Sequence, residues 1–228
     1  MIQEILFKAS IWVIPVLTAI TFHEAAHGWA AWRLGDDTAK QLGRVTLNPL
    51  RHVDLFGTLL LPAMLLLGSG GRMMFGYAKP VPVNFSRLRQ PRKHMVLVAA
   101  AGPATNLLLA MTWAISAHLV SALPGDAGVW LAYNIYNGIW INCLLLVFNM
   151  IPLPPLDGGR VAVGLLPRPL AIRLARLERF GFMIILGALF LLPLLGDQLG
   201  IDLNVFWWFV GGPAEYLMEL IFVLTGIA

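Results

Sequence analysis

Two histidines and a glutamate near the N-terminus have the types and spacing of a metal-dependent hydrolase. His23, Glu24 and His27 form the pattern H-E-x-x-H. Residues four apart share one face of a helix, so the imidazoles of His23 and His27 can reach a single metal ion. Glu24 lies near that face and can hydrogen-bond an activated water without ligating the metal. The pattern predicts a zinc site with Glu24 as the catalytic base.

A catalytic zinc site needs a third protein ligand, and Asp157 is the best candidate for it. Catalytic sites generally have three protein ligands and one open position. Asp157 is the only acidic residue between Asp126 and Glu178, and it ends a run of prolines and glycines that must break a helix. Irregular backbone at membrane depth is tolerated where it is buried in protein or lines a polar cavity. The alternative for Asp157 is a turn or capping residue.

The composition indicates the elements that must position these residues. Hydrophobic residues make up 58% of the 228-residue chain and charged residues only 12%, about half the usual charged fraction of a soluble domain. The apolar residues fall into blocks near the roughly 20 residues that cross a bilayer as a helix. We therefore expect an all-α integral membrane protein, a polytopic bundle of about five to six transmembrane segments. The predicted spans are 5–34, 94–122, 129–150, 180–195 and 205–225, with a shorter apolar run at 53–67.

Basic residues predict how the spans are oriented. Segments 33–51, 72–93 and 160–179 hold fifteen of the sixteen Lys and Arg residues, whereas loops 123–128 and 196–204 hold none. Cytoplasmic loops carry the excess of Lys and Arg, so the basic segments and the histidine pair are expected near the cytoplasmic side. This places the N-terminus outside and the C-terminus inside. It also requires the 53–67 run to re-enter or lie against the membrane, and the prolines of 76–84 favour extended backbone.

Three motifs resemble those of the site-2 protease family of intramembrane metalloproteases. The H-E-x-x-H at 23–27 matches the family motif, and residues 149–158 match N-x-x-P-x-P-x-L-D-G at every specified position. Residues 101–106 resemble the A-G-P-x-x-N segment between them. The chain resembles the minimal prokaryotic members, which lack PDZ and CBS domains. The motifs together cover about two-thirds of the chain.

The resemblance implies a function for the whole chain. It implies one Zn²⁺ per chain, held by His23, His27 and Asp157, and an endopeptidase that cleaves membrane-spanning proteins in or near the bilayer. Asn106 and Asn149 are candidates for binding substrate or the oxyanion, or else they join helices. We expect a single domain over 1–228, with a catalytic core at about 5–160 and accessory spans at 178–226, in a prokaryotic cytoplasmic membrane. The expected partners are a transmembrane substrate and the lipid bilayer, with homo-oligomerisation left open.

Three other functions use some of the same residues. A metal transporter would repeat His or Asp along several spans and would leave Glu24 without a role. Another membrane zinc peptidase would take its third ligand from a later glutamate, and a scaffold would have no need of the intact ligand set. Nucleic-acid binding is not expected, because the net charge of +4 lies in loops that flank spans. The later glutamates that could ligate are Glu178, Glu215 and Glu219.

Overall fold

In the computed structural model, residues 2–60, 64, 76 and 78–227 are described, and they form helices without any strand. This confirms the all-α class. The helices are α1 (Ile2–Leu34), α2 (Thr38–Gln41), α3 (Pro91–Ser116), α4 (Asp126–Asn149), α5 (Asp157–Leu165), α6 (Arg168–Ala175), α7 (Glu178–Leu186), α8 (Leu192–Leu199) and α9 (Gly212–Thr225). Turns of 3-10 helix lie at Pro49–Arg51, Phe85–Arg87 and Ala117–Ala122, and turns of π-helix at Leu55–Leu60, Gly187–Leu191 and Trp207–Gly211.

Four helical stretches among the described residues are long and apolar enough to cross a membrane. They confirm a polytopic helical protein and match four of the predicted spans. The fifth predicted span, 205–225, is also helical and carries two glutamates, but it is not among these four. The four stretches are Ile2–Leu34, Pro91–Ala122, Asp126–Asn149 and Glu178–Leu199.

Helices α1, α3 and α4 contact one another pairwise and form the core of the bundle. Small residues allow the close approach, as is usual where helices pack in a membrane. Ala110 and Ala114 of α3 are completely buried. A Cβ on Gly138 of α4 would lie 2.5 Å from the ring of Trp113. The small residues therefore set the spacing at which polar side chains of different helices can meet.

Helix α9 runs parallel to α3, which corrects the predicted position of the C-terminus. Met218 and Ile221 pack in the same core cluster as Ala114. The His118 Nε2–H donates to the Thr225 carbonyl at 2.9 Å. The end of α9 therefore lies with the end of α3, opposite the basic segments, and the prediction of an inside C-terminus was wrong. The positive-inside rule could not orient this helix, because no Lys or Arg follows Arg179.

Residues 78–84, called here the 78–84 segment, form no helix, as their prolines predict. The segment lies against α1, where a Cβ on Gly28 would be 3.1 Å from the side chain of Val81. The described part of the 53–67 run is a π-helical turn at Leu55–Leu60. The rest of that run, apart from residue 64, lies outside the described residues, and so does the predicted re-entry.

Candidate metal centre

Three predicted ligands from two distant parts of the chain meet at one point. His23 and His27 lie one turn apart on α1, and Asp157 is the first residue of α5. The Nε2 atoms of His23 and His27 are 3.0 Å apart. Asp157 Oδ2 lies 3.2 Å from His23 Nε2 and 3.3 Å from His27 Nε2. The structure thus brings together all three residues that the sequence proposed as ligands.

The hydrogen-bond partner of each Nδ1 determines which nitrogen of that imidazole carries the proton. His27 Nδ1 lies 2.7 Å from the carbonyl oxygen of Val98, which can only accept a hydrogen bond. His27 Nδ1 must therefore carry the proton. His23 Nδ1 lies 2.6 Å from the side-chain oxygen of Asn106, so it donates in the same way. In the neutral form, each Nε2 then has a lone pair directed at its neighbour.

A cation explains this arrangement better than hydrogen bonding does. With both imidazoles neutral, two Nε2 lone pairs and the Asp157 carboxylate converge on one point, and Asp157 Oδ2 is buried without a hydrogen-bond partner among the described residues. Ligands of a tetrahedral zinc ion, at bonds of about 2.0–2.1 Å, lie about 3.3 Å from each other. The observed separations of 3.0–3.3 Å fit that geometry. Two imidazoles and a carboxylate are also a donor set that zinc accepts.

Gly102 on α3 leaves space beside the two imidazoles. A Cβ at this position would lie 2.4 Å from His27 Nε2 and 2.6 Å from His23 Nε2. Real Cβ atoms do not approach other atoms so closely, and α3 is held by its contacts with α1 and α4. Glycine is therefore required where α3 passes the site.

The turn between α4 and α5 holds Asp157 in place. A Cβ on Gly158 would lie 2.2 Å from the Met150 carbonyl oxygen, and one on Gly159 would lie 2.2 Å from the Pro154 nitrogen. Both glycines are thus needed for the chain to fold back on itself. From α7, Gly181 approaches the Pro154 carbonyl still more closely. The turn is fixed from both sides, which directs Asp157 at α1.

Glu24 is not part of the ligand cluster and instead contacts the 78–84 segment. Its Oε2 accepts a hydrogen bond of 2.8 Å from the backbone N–H of Val81. Glu24 is half-buried, whereas His23 beside it is buried. Glu24 therefore lies beside the three ligand candidates without joining them.

The 78–84 segment is tied to the bundle at both ends. The Lys79 N–H donates to the His52 carbonyl, and the Lys79 carbonyl accepts from the buried Arg44 guanidinium at 2.7 Å. At the other end the Asn84 N–H donates to the completely buried Asp36 at 2.6 Å. Val81 is therefore held between two anchors.

Asp36 is suited to this anchoring because its charge is stabilised. Burial alone would raise the pKa of Asp36, but hydrogen bonds from Thr38 and from the Asn84 amide outweigh burial and hold that pKa below its ordinary value. The nearby Arg87 guanidinium acts in the same direction. Asp36 thus remains an acceptor at neutral pH.

The two candidate asparagines occupy different positions. Asn106 is completely buried and contacts His23 directly. Asn149 is half-buried, and its amide donates to the Leu145 carbonyl of its own helix. Among the described residues, no hydrogen bond joins Asn149 to the three ligands.

Sequence reasoning missed Gly102, Val81 and Asn142, the last of which bonds to Asn106. For Asn142 a signal existed, because an amide in an apolar span needs a partner. Gly102 lies in the A-G-P-x-x-N motif, but the pattern alone does not show what the glycine faces. Val81 contacts Glu24 through its backbone N–H, so its residue type gives no indication of the contact.

The family model for peptidase family M50 matches residues 11–135, more than half of the chain. The chain belongs to peptidase family M50. The matched region includes the H-E-x-x-H motif and Asn106, and it ends before Asp157. The resemblance to site-2 proteases and the multi-pass membrane class are thereby confirmed.

Curated relatives agree with this M50 assignment. YwhC of Bacillus subtilis, whose name describes a zinc metalloprotease, is 40% identical over 186 residues, 80% of this chain and 80% of YwhC. Rip2 of Mycolicibacterium smegmatis, named in the same way, is 32% identical over 207 residues, 89% of this chain and 74% of Rip2. No solved structure matched the chain. The protein is a zinc metalloprotease of the M50 family.

Proposed function

We propose that this M50 protein is an intramembrane endopeptidase in which His23, His27 and Asp157 hold the zinc and Glu24 is the base. One observation carries the proposal. Two Nε2 lone pairs and one carboxylate oxygen lie within 3.3 Å of each other on helices of a membrane bundle. Ionisable groups inside a membrane protein are costly and mark function.

The residues around the ligands supply the proton chemistry. A zinc ion held by His23, His27 and Asp157 would supply Lewis-acid chemistry to a water molecule and to the peptide carbonyl. Glu24 takes a proton from the attacking water and delivers it to the leaving amide nitrogen. The Val81 N–H, 2.8 Å from Glu24 Oε2, fixes the direction in which that carboxylate points. Its other oxygen remains available for the water.

A membrane-spanning substrate must unwind before it can be cut, since the amides of a helix are already bonded within it. Extended backbone beside the site can receive such a strand by backbone pairing. The 78–84 segment lies against Glu24, and the turn at 150–157 carries the third ligand. We propose that both bind substrate and that Asn149, at the start of that turn, contacts it. Asn106 is engaged with His23, so we assign it to holding the site.

We propose one intramembrane domain over 1–228, with a catalytic core at 5–160 and accessory spans at 178–226. The basic segments flank the metal end of the bundle, which supports a site near the cytoplasmic side of a prokaryotic membrane. The expected partners are a transmembrane protein and lipid. Homo-oligomerisation stays a prediction.

The proposal is tested by metal content and by cleavage of a model transmembrane substrate. Glu24→Gln should keep about one zinc per chain and lose at least about 100-fold in cleavage rate, because general base catalysis contributes that much. Asp157→Ala should lose zinc. Glu4→Gln on the same helix and Asp126→Ala at the start of α4, both exposed, are the matched controls.

An active Glu24→Gln enzyme would exclude Glu24 as the base. Wild-type zinc affinity in Asp157→Ala would exclude Asp157 as a ligand. Cleavage only of soluble peptides, and of no membrane-spanning substrate, would contradict the intramembrane assignment while leaving the protease in place.

A further inference from the structure

A chain of buried amides runs from His23 into the middle of the bundle. Asn106 Oδ1 lies 2.6 Å from His23 Nδ1, and the Asn106 side-chain N–H donates to Asn142 Oδ1 at 2.8 Å. The Asn142 side-chain N–H donates in turn to the Gly138 carbonyl at 2.8 Å. Both asparagines are completely shielded from solvent.

The direction of every bond in this chain is forced. The Gly138 carbonyl can only accept, so the atom of Asn142 that faces it must be the amide nitrogen. Asn142 then presents its oxygen to Asn106, which must donate. A second carbonyl, that of Ala19 on α1, lies 3.3 Å from the same Asn106 nitrogen and requires the same orientation. The side-chain oxygen of Asn106 is therefore left for His23.

We infer that Asn142 is a positioning residue for the metal centre, acting through Asn106 on the tautomer of His23. With Asn106 oriented by Asn142, the His23 proton stays on Nδ1 and the lone pair of Nε2 faces the metal. Were Asn106 reversed, its N–H would face Nδ1 and favour the tautomer with the proton on Nε2, which cannot bind a cation. This inference rests on the proposed metal site and adds a residue to it from α4.

The two histidines differ in how they are held. His27 is fixed by a backbone carbonyl, that of Val98, and needs no side chain for its orientation. His23 is fixed by the side chain of Asn106, which Asn142 and the Ala19 carbonyl orient together. Partners that orient a ligating histidine commonly change metal affinity by about 10- to 100-fold when they are removed. Asn142 acts one bond further away, so we expect an effect near the lower limit.

The test measures zinc affinity by competition with a chelator, and it reads the His23 tautomer by ¹⁵N NMR of the metal-free protein. Asn142→Leu should weaken zinc binding about 10-fold and populate the Nε2–H tautomer of His23. Asn137→Leu is the matched control. Asn137 is a buried asparagine of the same helix, it donates to the Ile11 carbonyl, and it has no bond to the amide chain. This control should keep the wild-type zinc affinity and tautomer.

Asn142→Ala, a smaller truncation, provides the same test if the leucine variant fails to fold. Wild-type zinc affinity with an unchanged His23 tautomer in a folded Asn142 variant would overturn the inference. If the proposed ligand set itself is wrong, the result differs: the His23→Ala variant keeps its zinc. A loss of affinity equal in Asn137→Leu and Asn142→Leu would reduce the effect to general packing and also overturn the inference.

Discussion

The metal site depends on individual atoms that face the two imidazoles. Each histidine has its Nδ1 proton directed to an oxygen, so each Nε2 can face the ion only as a lone pair. Asp157 adds a negative charge to the same point. Without a cation these groups are electrostatically unfavourable neighbours, because a buried carboxylate without a partner is costly. Zinc binding should therefore stabilise the fold as well as enable chemistry.

Gly102 offers a test at this scale that leaves every ligand intact. Gly102→Ala places a Cβ within 2.4–2.6 Å of both Nε2 atoms, so one imidazole or α3 must move. We expect zinc affinity to fall by at least about 10-fold, as for other changes that misplace a ligating histidine. Gly187→Ala is the control, because that glycine is helical and has no neighbour within 4 Å of its Cβ position. Equal zinc affinities in the two variants would contradict the proposed close approach.

The histidines and Asp157 could be predicted from the sequence because residue type and spacing specify their chemistry. The Val98 carbonyl and Val81 N–H could not, because every residue except proline offers both groups. Gly102 was visible only as part of a motif. Its role depends on the distance between two helices, which no local pattern gives. The sequence thus identifies donors of unusual type but not the backbone that orients them.

At the scale of elements, the 78–84 segment holds the Glu24 carboxylate through the backbone of Val81. Pro80 and Pro82 flank Val81, so N–H groups alternate with positions that have none. The N–H of Val81 faces Glu24, while the prolines leave only carbonyls on the opposite edge. A segment built in this way can be tested one hydrogen bond at a time.

Val81→Pro removes the N–H that Glu24 accepts and keeps extended backbone. A hydrogen bond to a charged group is worth about 1.5–3 kcal/mol, so cleavage should slow by about 10- to 100-fold. Zinc content should stay the same, since the Val81 N–H bonds to Glu24 and not to a metal ligand. Val83→Pro, two residues along the same edge, is the control. Loss of zinc in Val81→Pro would show that the segment supports the metal rather than the base.

Asp36 gives the anchoring of this segment a dependence on pH. Its pKa is lowered in the folded state, so it stabilises the fold above its ordinary pKa, about 3.9, and the contribution is lost as pH falls towards the folded value. Wild type should melt at a higher temperature than Asp36→Asn at pH 6. The difference should shrink below about pH 4. Asp197→Asn, at an exposed position of α8, should show no such difference. A gap that persists at low pH would contradict the role of the charge.

At the scale of the molecule, the helix order could be predicted better than helix direction. Spans could be recognised because apolar length is specified locally, and four of the predicted spans correspond to helices that are long and apolar enough to cross a membrane. The direction of α9 was predicted wrongly, because the prediction assumed that each apolar run crosses the membrane once. No Lys or Arg follows Arg179, so the distribution of basic residues could not test that assumption. Packing of α9 along α3 decides the matter instead, through contacts between residues about 100 positions apart.

Cysteine labelling of the intact membrane protein tests this arrangement. The native Cys143 is buried, so a membrane-impermeant thiol reagent should report only introduced cysteines. Pro124→Cys and Ile227→Cys should react from one side, since Thr225 contacts His118. Leu42→Cys, exposed in a basic segment, should react from the other side. Labelling of residues 42 and 227 from the same side would restore the inside C-terminus and contradict the direction of α9.

The unequal anchoring of the two imidazoles has a consequence for how this protein tolerates variation. A main-chain carbonyl cannot be mutated away, so position 98 should accept any aliphatic residue that fills the same volume. Positions 106 and 142 must instead keep an amide with one donor and one acceptor facing fixed neighbours. In a library of random variants, the orientation of His27 should thus survive aliphatic exchanges at position 98, while that of His23 should be weakened by loss of the amide at position 106 or 142.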